Sequence, residues 1–139
     1  MGQHEWRRGV RDALNGLRDR IDGWTMPRLA KTGGEDPWEL RDQYVRHVLA
    51  TEGLVDPKSD PFDGRAAEEV RALLEIQRHR LMMFTSCGWF FDDPEGLETT
   101  QILRYARRAT ELMVEAGGPD LLRDLRADLV AFPNLEVHR

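Results

Sequence analysis

With 139 residues the chain has the length of one domain, and a domain of this size buries roughly two thirds of the surface that its unfolded chain exposes. The net charge of −5, with acidic and basic residues interspersed along the whole length, argues against the basic footprint that nucleic-acid binding requires. The single cysteine excludes an internal disulfide, and no apolar run approaches the roughly 20 residues of a membrane helix, so we expect a soluble, cytoplasmic protein.

Composition and apolar spacing predict an all-α fold, a bundle of about five helices that forms a single domain over residues 1–139. The first helix is predicted from about Glu5 to Trp24, because Gly23 and Pro27 then weaken and close it. Its apolar residues recur at spacings of three and four, which places the following on one face: Trp6, Val10, Ala13, Leu14, Leu17, Ile21 and Trp24.

A polar, glycine-containing break at residues 31–35 precedes the second predicted helix. Asp36 followed by Pro37 is a helix-start signal, because the aspartate accepts hydrogen bonds from unpaired N–H groups and proline has no N–H to leave unpaired. We expect this helix to end near Ala50. Its expected buried face consists of Trp38, the stem of Arg41, Val45, Val48 and Leu49. Residues 51–63 contain glycine and prolines and are predicted to form a loop.

The third helix is predicted to begin at Asp63 or Gly64 and to run to about Phe84. One stripe along it consists of Ala67, Val70, Leu73, Leu74, Gln77, Leu81 and Phe84. Ile76 and Met83 add apolar surface on another side. Because a helix that is apolar on more than one side tends to be enclosed by others, we expect the third helix to be central in the bundle.

A junction at residues 85–96 separates the third helix from the fourth, which is predicted to reach about Ala116 and to be ended by the glycines and proline of residues 117–119. The residues expected to face inward are Leu97, Ile102, Ala106, Ala109, Leu112, Met113 and Ala116. A last helix is predicted from Asp120 to about Phe132.

The junction has no helical period and contains three consecutive aromatic residues at 89–91. They cannot all point into one core, so we expect at least one of them to lie on a pocket wall. A tryptophan ring suits the C–H faces of a sugar, and Asp92 and Asp93 would accept hydrogen bonds from its hydroxyls. The residues alone also allow a second interpretation, because Asp93 with Pro94 is an ordinary helix start and aromatic clusters at helix junctions also form core corners.

Two stretches carry a resemblance to a known family: residues 74–93 (LEIQRHRLMMFTSCGWFFDD) and 96–106 (GLETTQILRYA). They closely resemble the signature of domain of unknown function 3536, which follows a glycoside hydrolase family 57-like catalytic domain in large bacterial proteins. The pair Trp6-Arg7 with residues 13–19, and Asp36-Pro37-Trp38 with residues 41–45, resemble two further blocks, so the likeness spans most of the chain. The sequence departs from the family at Pro94-Glu95, where an Ile-Ser type pair is common, and residues 132–136 resemble the next block only faintly.

The resemblance implies a helical region that is not catalytic alone. Family 57 enzymes carry their nucleophile and general acid on an incomplete β/α barrel, and no part of this chain shows βα alternation, so we expect no catalytic residue in it. In related enzymes the helical region leans over the active-site cleft and contributes a tryptophan-containing segment, which residues 86–90 resemble. By this likeness the substrate-binding residues would be Trp89, Phe90, Asp92, Asp93, Glu98 and Gln101.

The expected partners are a family 57-like catalytic barrel and an oligosaccharide or glucan, without nucleic acid, membrane or cofactor. No metal site is expected, because the four histidines lack the spacing of paired ligands. Cys87 is about 12 Å along a helix axis from His79, too far for activation by a direct hydrogen bond, so we expect a structural cysteine.

Two other functions remain open from the sequence. One is a protein-interaction domain that binds a partner barrel or forms a homodimer through an apolar helix face such as Trp6, Val10 and Leu14. The other is a truncated remnant without function, a fragment of a longer helical region.

Overall fold

The computed structural model describes residues 3–62, 67–84 and 97–130. These residues form five α-helices and no strand, which confirms the predicted all-α bundle of about five helices. The helices are α1 (Gln3–Gly33), α2 (Pro37–Thr51), α3 (Glu68–Met82), α4 (Leu97–Glu115) and α5 (Leu122–Asp128), and a 3₁₀ turn at Pro57–Ser59 follows α2. Apolar side chains from all five helices form one core. Within the described helices, none has the length and apolarity needed to cross a membrane.

The first helix is longer than predicted, because α1 continues through Pro27 to Gly33. Proline leaves the carbonyl of Gly23 without its helical N–H partner and crowds it, at a cost of about 3 kcal/mol in a helix interior. The apolar stripe nevertheless extends past the proline, since Met26 just before it is buried and Leu29, two residues after it, is fully buried. Burial of Leu29 in the core helps to offset the cost of the proline.

The second helix begins as predicted: the Asp36 side chain accepts a hydrogen bond from the backbone N–H of Trp38 at 3.1 Å, and Pro37 occupies the first turn. Its predicted buried face is wrong for two residues, Trp38 and Val45, whereas Val48 is partly buried against the core as expected. Trp38 is 46% exposed and Val45 is 55% exposed. The residues that α2 buries are Leu40, Tyr44, His47 and Ala50.

The third helix begins at Glu68, several residues later than predicted, and is central as expected because it packs against α1, α2 and α4. Most of the predicted stripe is buried, and so are Ile76 and Met83 on its other side. Leu81 was expected in that stripe but is 39% exposed, since it lies on the side of α3 that faces out beside α2.

The last two helices follow the predicted pattern with shorter ends. In α4 the inward residues include Ile102, Ala106, Ala109 and Met113, all of them buried. Gly117 adopts φ +90°, a left-handed conformation that ends a helix, and the N–H of Gly118 donates to the Met113 carbonyl at 2.7 Å. Helix α5 is short, and the predicted end at Phe132 lies outside the described residues.

Candidate functional site

The predicted saccharide contacts lie mostly beyond the part of the chain that the structure describes. The residues outside it are Trp89, Phe90, Asp92 and Asp93, together with Cys87. Glu98 lies in the first turn of α4, and Gln101 is exposed one turn later. The Gln101 amide donates to the hydroxyl of Tyr105 at 3.0 Å. A role for these residues in sugar binding therefore remains a prediction.

The part of the signature that lies on α3 ties this helix to α1. Arg80 binds the Asp22 carboxylate through Nε and Nη2, at 3.1 and 2.8 Å. Gln77 is fully buried, and its amide nitrogen donates to the same carboxylate at 2.8 Å and to the Thr25 hydroxyl at 2.6 Å. Charged and amide hydrogen bonds of this kind are directional, so they fix the rotation of α3 about its axis. They thereby position Phe84, the last described residue before the three consecutive aromatic residues 89–91, which we call the aromatic segment.

A second signature residue, Glu75, connects α3 to α2. Its carboxylate accepts a hydrogen bond from the hydroxyl of Tyr44 at 2.5 Å and an ion-paired contact from Arg78 at 3.2 Å. Burial of the phenol, and then its hydrogen bond to Glu75, raise the pKa of Tyr44 well above its ordinary value, against the weaker opposing effect of the neighbouring Arg78 and Arg71. Tyr44 is therefore a neutral hydrogen-bond donor over the whole physiological range.

His47 and Asp60 close the loop that follows α2. Nδ1 of His47 lies 2.9 and 3.0 Å from the two carboxylate oxygens of Asp60, whose side chain is 3% exposed. The imidazole stacks on Tyr44 with centroids 5.6 Å apart and meets the edge of Phe62 at 5.3 Å. The Phe62 N–H also donates to Asp60, at 2.9 Å. Sequence reasoning missed this cluster, since a single histidine and an aspartate 13 residues later form no recognisable motif.

Tyr44, Glu75 and His47 lie on the wall of a cleft of about 460 Å³ between α2, the first half of α3 and the end of α4. The cleft is also lined by Arg71 and by three further glutamates, Glu52, Glu68 and Glu115. Acidic side chains therefore outnumber basic ones on its wall. Glu75 is about 14 Å from Phe84 along the helix axis, at 1.5 Å per residue. The cleft thus opens beside the first half of α3, while the aromatic segment follows the last turn of this helix.

The described residues hold no group of three or more histidine, cysteine, aspartate or glutamate side chains that is able to bind a metal ion. The polar clusters described above join α1 to α3, α2 to α3, and α2 to the loop that follows it. Their hydrogen bonds position these elements relative to each other.

Comparison with known protein families matches residues 3–137 to the family described as Domain of unknown function (DUF3536). The matched range covers all five helices and the aromatic segment between α3 and α4. No curated protein and no solved structure matches the chain.

Proposed function

Because the chain belongs to the family described as domain of unknown function 3536, we propose that it is a helical accessory domain of a glycoside hydrolase family 57-like carbohydrate-active protein. In this proposal the domain packs against a catalytic barrel and contributes one wall of its sugar-binding cleft. The nucleophile and the general acid belong to the barrel, so the domain alone does not hydrolyse glycosides. The absence of any disulfide pair suits a cytoplasmic location for such an assembly.

The observation that carries the proposal is the signature at residues 74–106, which contains the aromatic and acidic segment. In its role as a sugar platform, Trp89 stacks on the C–H face of a ring, and Phe90 extends the apolar wall. The groups that would take hydrogen bonds from hydroxyls are Asp92, Asp93, Glu98 and Gln101. Helices α3 and α4 pack against each other, which supports the proposal because a platform needs a rigid base on both of its sides.

The geometry of α3 adds a second line of support. Three of the polar signature residues on α3 are engaged with other helices: Glu75 with α2, and Gln77 and Arg80 with α1. The other two polar signature residues before Phe84, Arg78 and His79, contact Glu75 within α3 itself. We therefore assign recognition to the aromatic and acidic residues that follow Phe84.

The test is calorimetric titration of the protein with maltohexaose, and with cellohexaose as the comparison of linkage. We expect weak binding of one of the two, on the order of millimolar as for a single stacked ring with a few hydrogen bonds. Binding should be lost in Trp89→Ala and kept in Trp38→Ala, because Trp38 lies exposed on α2. Mixing with a family 57-like barrel should give a complex on size-exclusion chromatography. Failure of both saccharide binding and complex formation would contradict the proposal, and a low melting temperature with strong dye binding would then indicate a remnant.

A further inference from the structure

Exposed apolar residues concentrate on one part of the described surface. Among the described residues seven large apolar side chains are exposed, and five of them belong to α2, the turn after it and the end of α3: Trp38, Val45, Leu54, Val55 and Leu81. Trp38, Val45 and Leu49 recur along α2 at helical spacing and therefore share one side, which we call the α2 outer face. The N–H of Leu54 donates to the Leu49 carbonyl at 2.9 Å, which folds the chain back beside this face.

A groove of about 240 Å³ runs along the α2 outer face. Val45 and Leu49 line it from α2, and Leu74 and Leu81 line it from α3. Arg41, Arg78 and Glu52 also line it, so the groove combines an apolar lining with charges of both signs. Apolar grooves with polar rims are typical of surfaces that bind a helix.

The charges on this side of α2 also lack partners within the chain. Glu39, Asp42, Glu52, Arg41 and Arg46 form no ion pair or side-chain hydrogen bond with the rest of the described residues. The guanidinium of Arg41 lies 4.8 Å from the Trp38 ring, and its Nε is buried without an acceptor. By contrast, Arg107 and Arg108 on α4 both pair with Glu111. Because charges of both signs lie along this side of α2, an inverted second copy is able to bring opposite charges together.

We infer that a second copy of the chain covers this surface, with its α2 antiparallel to the first and a two-fold axis near Val45. At 1.5 Å per residue, this arrangement brings Asp42 and Arg46 of opposite copies within about 3 Å of each other along the axis, and Arg41 and Glu52 within about 5 Å. Each of these opposite-charge pairs occurs twice, so together they outnumber the one like-charge contact, between the two copies of Arg46, which are also about 3 Å apart along the axis. Val45 packs against Val45 of the second copy. A parallel pair would place every charge at the level of the same charge in the other copy, which is why we place the two copies antiparallel.

The contact is small for a protein interface, since it is limited to one helix face and the turn that follows it. A dimer held by a patch of this kind should dissociate on the order of tens of micromolar. The ion pairs at its rim should weaken as ionic strength rises, because surface charges are screened over about 8 Å at physiological salt. The inference is independent of the proposed function, since it requires neither a saccharide nor a barrel.

Sedimentation equilibrium of the protein from about 10 to about 300 μM tests it, because this range brackets the expected dissociation constant. The mass should rise from 16.1 kDa towards twice that value. Val45→Asp should remain monomeric with unchanged helicity by circular dichroism. Val114→Asp is the matched control, because Val114 is 50% exposed on α4, and it should dimerise as the unaltered protein does.

A charge exchange separates the proposed arrangement from any other dimer. Asp42→Arg and Arg46→Asp should each weaken the dimer by about tenfold, because each places like charges opposite each other. The double variant should return to within about threefold of the original affinity, since it restores opposite charges across the two-fold axis. A protein that stays monomeric over the whole range, a dimer that survives Val45→Asp, or a double variant without recovery would each overturn the inference.

Discussion

Arg80 donates two hydrogen bonds to the Asp22 carboxylate across the interface of α3 and α1. The two residues are 58 positions apart in the sequence. Both side chains are largely buried, at 14% and 18% exposed, and Gln77 donates to the same carboxylate. Two donors on α3 thus depend on one acceptor on α1. The interface is sensitive to the loss of that acceptor.

Asp22→Ala should lower the free energy of unfolding by about 2 kcal/mol, because it removes the carboxylate that pairs with the Arg80 charge and leaves the Gln77 amide nitrogen with only the Thr25 hydroxyl as an acceptor. Asp19→Ala is the matched control on the same helix, since the Arg18–Asp19 pair is exposed and worth under about 0.5 kcal/mol. Urea unfolding followed by circular dichroism measures both. Equal losses for the two variants would show that the buried network contributes nothing beyond a surface pair.

Tyr44 should make the protein less stable at alkaline pH. Folding raises the pKa of Tyr44 through burial and its hydrogen bond to Glu75, so the folded protein keeps a proton that the unfolded chain loses above about pH 10. Stability is unaffected by this group below that pH and falls as pH rises from there towards the folded pKa. Tyr44→Phe should flatten the fall, while Tyr105→Phe should preserve it. Unfolding in urea between about pH 9 and about pH 11.5 measures the slope, and an unchanged slope in Tyr44→Phe would contradict the assignment.

The ends of elements and their interiors differ in how far the sequence predicts them. Asp36 with Pro37 correctly located the start of α2, because the cap is a local interaction between a side chain and a nearby backbone N–H. The end of α1 was predicted too early because Pro27 is locally a helix-ending residue, while the packing of Leu29 against other helices is not visible in a local pattern. Burial of Leu29 outweighs the local tendency of proline to end a helix.

The buried face of α2 was predicted only in part, for a related physical reason. The prediction gave priority to Trp38 and Val45 as apolar residues, yet the helix buries Tyr44 and His47. Those two polar side chains are stable inside because Glu75 and Asp60, from elsewhere in the chain, complete their hydrogen bonds. A sequence read one helix at a time contains no information about such partners. The aromatic segment, by contrast, was recognisable from sequence because its residues are adjacent.

The His47–Asp60 pair should protect the loop after α2 from proteolysis. Asp60→Ala removes the acceptor for the imidazole and for the Phe62 N–H, so the loop should open more often. Trypsin cleavage after the exposed Lys58 should then accelerate by about tenfold or more, corresponding to about 1.4 kcal/mol of lost local stability. The control is Glu52→Ala, in the same connection but without an ion pair, which should be cleaved at the original rate. Equal rates for the three proteins would show that the pair does not hold the loop.

Pro27→Ala should stabilise the protein by about 1–2 kcal/mol, because it supplies the missing N–H and removes the clash with the Gly23 carbonyl inside a continuous helix. Gly23→Ala should add about 0.5–1 kcal/mol, since a Cβ there meets no atom within 4 Å. Thermal unfolding measures both changes. A helix that ended near Trp24 would gain nothing from the proline substitution, so a neutral or negative result would contradict the continuous α1.

The most direct test of the proposed saccharide platform is the nuclear magnetic resonance of the tryptophan indoles. The chain has four tryptophans and therefore four indole N–H signals, each of which can be assigned by replacing one tryptophan with phenylalanine. On addition of maltohexaose we predict a saturable shift of the Trp89 signal, with the Trp24 and Trp38 signals unchanged. A Trp89 signal that does not move at saturating saccharide, or a shift confined to Trp38, would contradict the proposal.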